Sequence, residues 1–490
     1  MTKPIPWPVE RLVAQLGRWS TSRGPLYLLL AERLRELIDS GQLPPRAALP
    51  PDRVLAEQLA VGRSTVVAAY DHLRAERKLE RQQGRGTWVA SAVLSGVQPS
   101  AVGTANPLFL NYLEPADTAT PLACAAPSGP PPELIDAYRR ALATLPGPDG
   151  GDIGYHPLGH PALRMGLARR YTEHGLPTGP EQILVTTGGQ QALALIARLF
   201  LGPGDPVLVQ GPTYPGALEV FRDAAAVIRS VTTTVDGVDP TQWTATLDST
   251  RPRLAYLNPT NHNPTGGTLP VLARRRLVEV TVARGIPLIA DTVLDGLSFR
   301  DTEPPGLAEL VDTGTVLTVG SFSKTVWGGV RTGWIRGATE DIARLSRIKT
   351  VHDLGSAVLE QLALAELLPR LDAVAAARVT RLRQRHDQLC ARLRDALPDW
   401  RFEPAGGGQC LWVRLPCGDA SAFAQVALRH GVTVLPGTAL DATGGSTEYL
   451  RIPFTAPVAE LTESVRRLAL AWPAYQRTGQ APAAVHALVV

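Results

Sequence analysis

The feature that most limits the fold is an alternation of short apolar runs with helical segments between residues 182 and 319. The runs have the length and the aliphatic content of buried strands, and longer segments with helical spacing lie between them. Strands that alternate with helices form a mainly parallel sheet, so the pattern predicts an α/β domain. The predicted strands are Gln182–Thr186, Pro206–Gln210, Arg253–Leu257, Pro287–Ala290 and Thr315–Val319, and the predicted helices after the first two strands are Gln191–Leu201 and one from Pro215.

A polar or glycine-rich cluster follows each predicted strand. Ligands of parallel α/β sheets bind beyond the carboxyl ends of the strands. We therefore expect the clusters to meet in one site. They are Thr187–Gln191, Gly211–Gly216, Asn258–Gly266, Asp291 and Ser321–Gly333.

Lys324 lies in the last cluster, among hydroxyl groups and glycines. Its amine can form a Schiff base with an aldehyde. Ser321, Ser323 and Arg331 supply donors for a phosphate. Taken alone, the stretch is more typical of a lysine in an ordinary surface loop, because small, polar and basic residues are common in turns. The functional interpretation is favoured because the other clusters supply complementary groups.

Three of these groups suit a planar, phosphorylated ligand. Gly189 and Gln190 open a predicted helix, whose free backbone N–H groups can bind phosphate. Tyr214 can stack on a planar ring, and Asn263 can donate to a phenolic oxygen. Singly, the glycine pair is weak evidence, and Tyr214 has the alternative of a tyrosine in a proline turn.

Asp291 and Arg451 add one negative and one positive charge. A carboxylate facing a heterocyclic nitrogen keeps that nitrogen protonated and strengthens the ring as an electron sink. The alternative for Asp291 is a helix N-cap. Arg451 lies in the apolar run Tyr449–Thr455 and suits bidentate capture of a carboxylate, with a buried salt bridge as its alternative.

The net charge of +4 is concentrated at the N-terminal end of the chain. Residues 1–90 hold 14 Lys and Arg against 9 Asp and Glu, whereas the rest of the chain holds 35 against 36. Such an asymmetry indicates a polyanionic partner for the N-terminal part, although a solvated basic face is the alternative.

The same 90 residues have a helix-turn-helix pattern. Helical spacing predicts helices over Pro25–Ser40, Asp52–Ala60 and Arg63–Arg77, with a turn at Val61–Gly62 between the second and the third. The third helix begins with a guanidinium and short hydroxyl side chains, which can reach phosphates and base edges. Its first turn is therefore the predicted DNA reader.

Residues Leu79–Val89 have the pattern of a two-stranded hairpin that forms a wing beside this helix. Together, the stretch Pro25–Ala90 resembles the winged helix-turn-helix domain of GntR-type bacterial regulators. One departure is Val66–Ala68, where many members carry a further arginine. A winged helix used for protein contacts is the alternative. The resemblance implies double-stranded DNA as a partner and the DNA contacts Arg53, Arg63, Ser64, Thr65, Arg85 and Gly86.

The domain boundaries follow from composition. Residues 1–90 form the predicted DNA-binding domain. Residues 91–120 form a predicted flexible linker, because no charged residue stands between Gly86 and Leu113 and the stretch Ser91–Ala105 lacks periodicity. Residues 121–475 form the α/β region and 476–490 a tail. The sequence shows no membrane-spanning run, no signal-peptide core and no metal-ligand spacing among its four cysteines, which predicts a cytoplasmic protein without a metal site.

Taken in chain order, the polar clusters after the predicted strands, together with Arg451, resemble those of the fold-type I aminotransferases. These enzymes use pyridoxal 5'-phosphate and have a large domain with a mainly parallel sheet and a smaller C-terminal α+β domain. The resemblance implies an internal aldimine at Lys324, pairing of Asp291 with the pyridine nitrogen, contact of Asn263 with the ring oxygen and stacking of Tyr214. It also implies a phosphate site made of Gly189, Gln190, Ser321, Ser323 and Arg331, and a ligand carboxylate site at Arg451.

Two further features bear on this resemblance. A tyrosine placed as Tyr155 is here reaches the cofactor phosphate of the partner subunit in the family, which implies a homodimer. Members also carry a tyrosine two or three positions after the aspartate, but Val293 and Leu294 stand there in this chain. The change removes a hydrogen bond that contributes about 1 kcal/mol, so we expect cofactor binding to persist and the chemistry to change.

A GntR-type winged helix linked to such a domain resembles the MocR subfamily of transcription regulators. The resulting hypothesis is a homodimer that binds DNA and senses an amino compound, or the cofactor itself, through Lys324. One competing hypothesis is an active aminotransferase with a DNA-binding domain. Another is a DNA-binding protein whose large domain only dimerises.

We predict that Arg63→Ala weakens DNA binding, because it removes a cation from the first turn of the predicted reading helix. If the side chain neutralises a phosphate, the logarithmic salt dependence flattens by roughly 0.9 in the variant. Fluorescence anisotropy over a range of salt concentrations checks both effects. Arg74→Ala, near the other end of the same helix, is the control. Unchanged affinity and slope in Arg63→Ala would exclude the role.

Overall fold

The protein is described from a computed structural model of the full chain. The residues that the structure describes are 5–20, 24–40, 42–44, 46–76, 78–82, 86–90, 120–127, 129–145, 150–234 and 237–479.

The N-terminal unit is a winged helix. Its sheet has the strand order β1-β2-β4-β3, and the two strands β3 and β4 form the antiparallel wing. The helix-turn-helix prediction is confirmed. The elements are α1 (Val9–Leu16), α2 (Leu26–Asp39), α3 (Asp52–Gln58), α4 (Arg63–Ala75), β1 (Ile5–Pro6), β2 (Ala47–Leu49), β3 (Leu79–Gln82) and β4 (Gly86–Val89).

The winged helix has a core of its own. Leu30 and Leu34 of α2 and Val66 and Leu73 of α4 are fully buried in it. The two helices pack directly against each other, as their apolar spacing predicts. Tyr70 is also buried and donates its hydroxyl hydrogen to the Pro50 carbonyl at 3.0 Å, which ties α4 to the start of α3.

The described chain resumes at β5 (Thr120–Leu122), and the large domain follows it. An eight-stranded sheet of order β6-β13-β12-β11-β10-β7-β8-β9 forms its centre. All neighbours are parallel except β13, which is antiparallel to both β12 and β6, and β9 at the edge. The strands are β6 (Ile183–Thr186), β7 (Pro206–Gly211), β8 (Val227–Thr234), β9 (Gly237–Val238), β10 (Leu254–Leu257), β11 (Leu288–Asp291), β12 (Val316–Ser321) and β13 (Gly333–Arg336).

Helices cover both faces of this sheet. Along β10, Leu254 and Tyr256 belong to one hydrophobic cluster, and Ala255 and Leu257 belong to another. Because successive strand residues point to opposite faces, this division shows that both faces are buried. The helices are α5 (Pro132–Ala143), α6 (Pro161–Glu173), α7 (Gly189–Phe200), α8 (Pro215–Asp223), α9 (Pro240–Thr250), α10 (Val271–Val282), α11 (Thr339–Asp353) and α12 (Val358–Leu367).

The small domain contains the remaining elements. Its sheet has the order β14-β16-β15-β5, so β5 joins elements from the C-terminal end of the chain. Trp400, Phe423 and Trp472 pack edge to face in its core. The elements are α13 (Leu371–Ala396), β14 (Cys410–Arg414), α14 (Ala420–Arg429), β15 (Val432–Pro436), β16 (Tyr449–Pro453) and α15 (Val458–Gly479). The predicted α/β class with a smaller α+β domain is thus confirmed.

The element limits can be compared with the predicted domain boundaries. Thr120, the last residue of the predicted linker, already lies in β5, and α15 extends to Gly479, four residues into the predicted tail. The rest of the predicted linker and residues 480–490 lie outside the described residues. Within the described part of the chain, no helix is both long and apolar enough to cross a membrane.

A buried arginine holds the loop that follows β10. Arg274 on α10 is 1% exposed and donates to the carbonyls of Leu269, Pro305 and Pro259 at 2.9 Å and to the Thr260 hydroxyl at 2.8 Å. These bonds connect the helix with the Asn258–Gly266 cluster, one of the predicted parts of the site.

We predict that Arg274→Met lowers the free energy of unfolding by about 3 kcal/mol or more, because each buried carbonyl left without a donor costs ~1–3 kcal/mol. Urea unfolding followed by circular dichroism measures the effect. Arg275→Met on the same helix is a matched control, since Arg275 is half exposed and lies 3.9 Å from Glu279. A surface pair of that kind contributes less than about 1 kcal/mol. Equal effects of the two substitutions on the free energy of unfolding would refute the conclusion that Arg274 holds the loop after β10.

Candidate functional site

A cavity of about 350 Å³ lies at the carboxyl ends of the parallel strands, between the large and the small domain. It gathers residues from across the sequence, in agreement with the expectation that the clusters meet. Ten predicted site residues line it: Gly189, Gln190, Tyr214, Asn263, Asp291, Ser321, Ser323, Lys324, Arg331 and Arg451.

Lys324 follows β12 on the cavity wall. Its Nζ donates to the Ala125 carbonyl oxygen at 2.5 Å, and its own carbonyl accepts from Arg378 Nε at 2.8 Å. Burial lowers the pKa of Lys324, and the nearby Arg451 and Arg378 guanidinium groups lower it further. The amine is therefore more easily deprotonated than that of an exposed lysine, as a nucleophile requires.

Asp291 ends β11 and is 5% exposed. Its Oδ2 accepts from the Tyr256 hydroxyl at 2.6 Å, and its Oδ1 accepts from Val293 N at 3.1 Å. Asn258 Nδ2 donates to the Asp291 carbonyl oxygen at 3.1 Å. Burial raises the pKa of Asp291, and the bond from Tyr256 is the largest influence that lowers it. The carboxylate is thus held in one orientation at the strand end.

The expected phosphate donors surround the N-terminus of α7. Gly188 caps this helix with φ +119°, and a Cβ there would approach Arg331 Nη2 to 3.1 Å, so a glycine suits the position. Arg331 Nη2 donates to the Thr187 carbonyl at 2.9 Å. Ser321 Oγ accepts from Ser323 N at 3.2 Å. The free N–H groups of the helix, two hydroxyls and a guanidinium therefore converge, as an anion site requires.

Tyr214 lines the cavity next to this cradle. Its hydroxyl donates to Gln190 Oε1 at 3.1 Å, and Gln190 Nε2 donates to the Gly216 carbonyl at 2.8 Å. Burial raises the pKa of Tyr214 to about 12, so the phenol is neutral near pH 7. The hydrogen bonds hold a neutral aromatic ring at the cavity wall, which suits stacking.

Arg451 projects from β16 and is 6% exposed. Its Nη1 donates to Asn263 Oδ1 at 3.3 Å, and its Nη2 donates to the Ala123 carbonyl. Its Nε is buried and has no partner among the described residues. A buried guanidinium held only by neutral acceptors fits an anionic ligand group such as a carboxylate.

Not every predicted residue lies in the cavity. Tyr155 is 65% exposed and is not among the cavity-lining residues. The predicted DNA contacts belong to the winged helix. There, Arg53, Ser64 and Gly86 are exposed, Thr65 is half-buried, and Arg63 is 60% exposed and pairs with Asp52 at 2.8 Å. Arg85 lies outside the described residues.

Several residues of the site and its support escaped the sequence analysis. Tyr256, which lies behind Asp291 and does not line the cavity, carried no signal, because it stands in an apolar strand where an aromatic residue is ordinary. The cavity is lined by the segment Ala123–Ala126 and by Gln409 and Cys410 as well. These lining residues come from distant parts of the chain, and only the packing of the small domain brings them to Lys324.

His262 and the two positions after Asp291 also contribute to the wall. His262 Nδ1 lies 2.9 Å from the Thr265 hydroxyl, and burial lowers the pKa of His262 to about 3, so the imidazole is neutral. Val293 and Leu294 both line the cavity. The wall is therefore apolar at the positions where the sequence analysis noted a missing tyrosine.

One group of metal-ligating side chains stands apart from the cavity. Ligand atoms of Asp152, His156 and His160 lie within 4.8 Å of one another. His156 Nε2 lies 3.2 Å from Asp152 Oδ2, and His160 Nδ1 accepts from Ala162 N at 3.2 Å. These contacts account for the cluster as loop and helix-cap structure, so we assign no ion to it.

The donor set of the cavity fits pyridoxal phosphate. The cradle at α7 would hold the phosphate, Tyr214 would face the ring, Asp291 would face the ring nitrogen, and Lys324 would supply the amine that reacts with the aldehyde. The Nε of Arg451, which has no hydrogen-bond partner among the described residues, is a donor that a carboxylate of a second ligand can use. Such a site between a large α/β domain and a small α+β domain defines a fold-type I, pyridoxal-phosphate-dependent protein.

Comparisons with known proteins agree with this class. Residues 127–468 match the family model "Aminotransferase class I and II", and residues 26–89 match "Bacterial regulatory proteins, gntR family". The chain therefore belongs to the class I and II aminotransferase family and, with its GntR domain, to the MocR subfamily of GntR-type regulators. Pyridoxal 5'-phosphate is its cofactor.

Individual relatives include both regulators and enzymes. The chain is 30% identical to the probable rhizopine catabolism regulatory protein MocR of Rhizobium meliloti, over 77% of this chain and 78% of that protein. It is 27% identical to the HTH-type transcriptional regulator TauR of Rhodobacter capsulatus, over 95% of this chain and 99% of that protein. The solved structure of LysN, the alpha-aminoadipate aminotransferase of Thermus thermophilus, is 31% identical and has a TM-score of 0.66, covering 73% of this chain and 92% of that chain.

We predict that the reaction of Lys324 with pyridoxal phosphate reaches its half-maximal rate below the ordinary lysine pKa of about 10.4. The lowered pKa leaves more neutral amine at a given pH, so the rate rises with pH and levels off above the shifted pKa. Stopped-flow absorbance of Schiff-base formation gives the profile, with Nα-acetyl-lysine as the control. A midpoint at or above that of the free amine would contradict the prediction.

Proposed function

We propose that the protein is a homodimeric transcription regulator that binds double-stranded DNA and senses an amino compound, or pyridoxal phosphate itself, through Lys324. One observation carries the proposal: a chain with a DNA-binding winged helix also holds Lys324 and Arg451 in a single cavity. When bound, the cofactor supplies an aldehyde carbon that reacts with primary amines.

The cavity favours an amine that also carries an anionic oxygen group. Arg451 has an unused Nε and presents Nη1 next to Asn263, so it can rearrange to bind a carboxylate. Lys324 provides the second contact, because an amine must exchange with its Nζ to become attached to the cofactor. Amino acids and related compounds carry both a primary amine and a carboxylate.

Sensing accounts for two features better than turnover does. Val293 and Leu294 present apolar side chains where a donor to the ring oxygen is expected in an aminotransferase. The winged helix has no role in transamination. A ligand that binds the site more tightly in one arrangement of the domains shifts the population toward that arrangement and thereby changes the DNA affinity.

The dimer and the DNA surface are parts of the same proposal. Tyr155 is exposed and lies outside its own cavity, which supports a role at the cofactor phosphate of a partner subunit. A dimer also presents two winged helices, which suits paired half-sites. We propose that each winged helix contacts DNA through Arg53, Arg63, Ser64, Thr65, Arg85 and Gly86.

A second candidate function is catalysis of transamination. The tight bond between Tyr256 and Asp291 favours it, because a well-oriented carboxylate at the ring nitrogen strengthens an electron sink. Steady turnover of an amino acid with a keto-acid acceptor, at about 1 per second or faster as is usual for enzymes, would replace the sensor proposal. A protein that fails to bind the cofactor would instead favour a role in dimerisation alone.

We predict that Arg451→Gln weakens binding of carboxylated amines at least tenfold, since a bond from a charged donor contributes about 1.5–3 kcal/mol. Absorbance titration of the cofactor-loaded protein with L-amino acids measures the affinity. Arg414→Gln is the matched control, because Arg414 lies on the neighbouring strand β14 and only pairs with Glu448 at the surface. An Arg451→Gln protein with the affinity of the wild type would exclude carboxylate capture.

The regulator proposal as a whole is tested by DNA binding with and without ligand. The upstream region of its own gene is a suitable duplex, and anisotropy gives the dissociation constant. A ligand-dependent change that disappears in Lys324→Ala supports the proposal. A duplex affinity that is the same with and without ligand, over a broad set of amino compounds, would overturn it.

A further inference from the structure

The winged helix and the small domain meet at the turn of the helix-turn-helix. Arg429, the last residue of α14, donates from Nη1 to the Leu59 carbonyl at 3.2 Å and from Nη2 to the Ala60 carbonyl at 2.8 Å. These carbonyls lie at the C-terminal end of α3, where the helix leaves its last acceptors without internal partners. A cation is favourable there because the partial charge of the helix end is negative.

The contact has an apolar part as well. Ala60 is 8% exposed and belongs to the hydrophobic cluster of the small domain, although its own fold is the winged helix. Its φ of +49° places it in the left-handed region, which is unfavourable for alanine unless the surroundings hold it. The turn is thus seated on the small domain by two hydrogen bonds and a buried methyl group.

The residues that follow Arg429 bind the start of β5. The Gly431 carbonyl, two residues after Arg429, accepts from Thr120 N at 2.8 Å and from Arg467 Nη1 at 2.9 Å. Thr120 then pairs in parallel with Val432 of β15. We call residues 429–431 the corner and residues 120–126 the strap. The corner therefore contacts both the DNA-binding domain and the strap.

The strap runs from the corner into the cavity, where its carbonyls hold both cations that a ligand has to engage. The Ala123 carbonyl accepts from Arg451 Nη2, and the Ala125 carbonyl accepts from Lys324 Nζ at 2.5 Å. A carboxylate on Arg451 and a bond from Lys324 to the cofactor both compete with these hydrogen bonds. An occupied cavity therefore holds the strap less firmly than an empty one.

We propose that the corner is the docking surface for the helix-turn-helix of this chain, and that the strap communicates the occupancy of the cavity to it. The direction of the signal rests on the sensor function proposed above, whereas the docking itself does not. Ala60, the last residue of the turn that Arg429 holds, lies three residues before Arg63, where the reading helix begins. A displacement of the corner consequently changes the orientation of the DNA-contacting residues relative to the rest of the protein.

Hydrogen–deuterium exchange of the full-length protein tests both parts. The variants are Arg429→Ala and Arg429→Lys, with Arg414→Ala as a control that removes a surface arginine from the same domain. The probes are pyridoxal phosphate and N-(5'-phosphopyridoxyl)-L-leucine, which carries the ring, the phosphate and a carboxylate in one molecule. Cofactor absorbance and circular dichroism establish that each variant is folded.

In Arg429→Ala we expect amides of residues 59–62 to exchange about tenfold faster or more, because the variant lacks two hydrogen bonds from a charged donor. Arg429→Lys should lie between Arg429→Ala and the wild type, and Arg414→Ala should match the wild type. In the wild type, the phosphopyridoxyl probe should speed exchange in both the strap and the turn. In Arg429→Ala, it should affect the strap alone.

Two results would overturn the inference. One is unchanged exchange of the turn in Arg429→Ala, which would mean that the corner does not dock it. The other is an equal response of the turn to the probe in Arg429→Ala and in the wild type, which would mean that the signal bypasses the corner. If the expected exchange pattern is found but no probe changes the DNA affinity of the wild type, the sensor proposal fails and the docking surface stands.

Discussion

Two basic side chains with neutral hydrogen-bond partners, the buried Arg451 and the half-buried Lys324, determine how this site works. Lys324 and Arg451 face one cavity, and among the described residues neither forms an ion pair. Burial of a charge is costly unless an opposite charge or several hydrogen bonds compensate it. Here the compensation comes mainly from carbonyls of the strap. Neutralisation of Lys324 relieves part of the cost, and an anionic ligand at Arg451 relieves the rest.

The surrounding architecture follows from the need to bring these groups together. A parallel sheet places the carboxyl ends of its strands along one edge, so the cradle at α7, Asp291 and the loop with Lys324 lie close although they are far apart in sequence. The small domain closes the opposite side and carries Arg451 on β16. The site is therefore built between two domains, and its geometry depends on how they are placed relative to each other.

Much of this arrangement could be predicted from the sequence. Five strands of the large sheet (β6, β7, β10, β11 and β12), the helix-turn-helix and the ten residues that line the cavity carried local signals, such as periodicity, turn residues and a polar cluster after each predicted strand. The sequence analysis did not predict β8, β9 and β13 of the same sheet. The hydrogen-bond partners that hold these residues in place could not be predicted. Tyr256 looks like any core aromatic residue, and the partners of Lys324 and Arg451 lie 199 and 328 positions away along the chain.

The sequence by itself determined the two domain classes, the order of the polar clusters and the side chains available for cofactor binding, because these depend on local periodicity and on side-chain chemistry. Only the tertiary structure decided that the strap joins the small domain, that Arg429 reaches the turn of the helix-turn-helix and that Tyr155 stays outside its own cavity. Such contacts depend on long-range packing, where many residue types satisfy the same backbone carbonyl and leave no distinctive pattern.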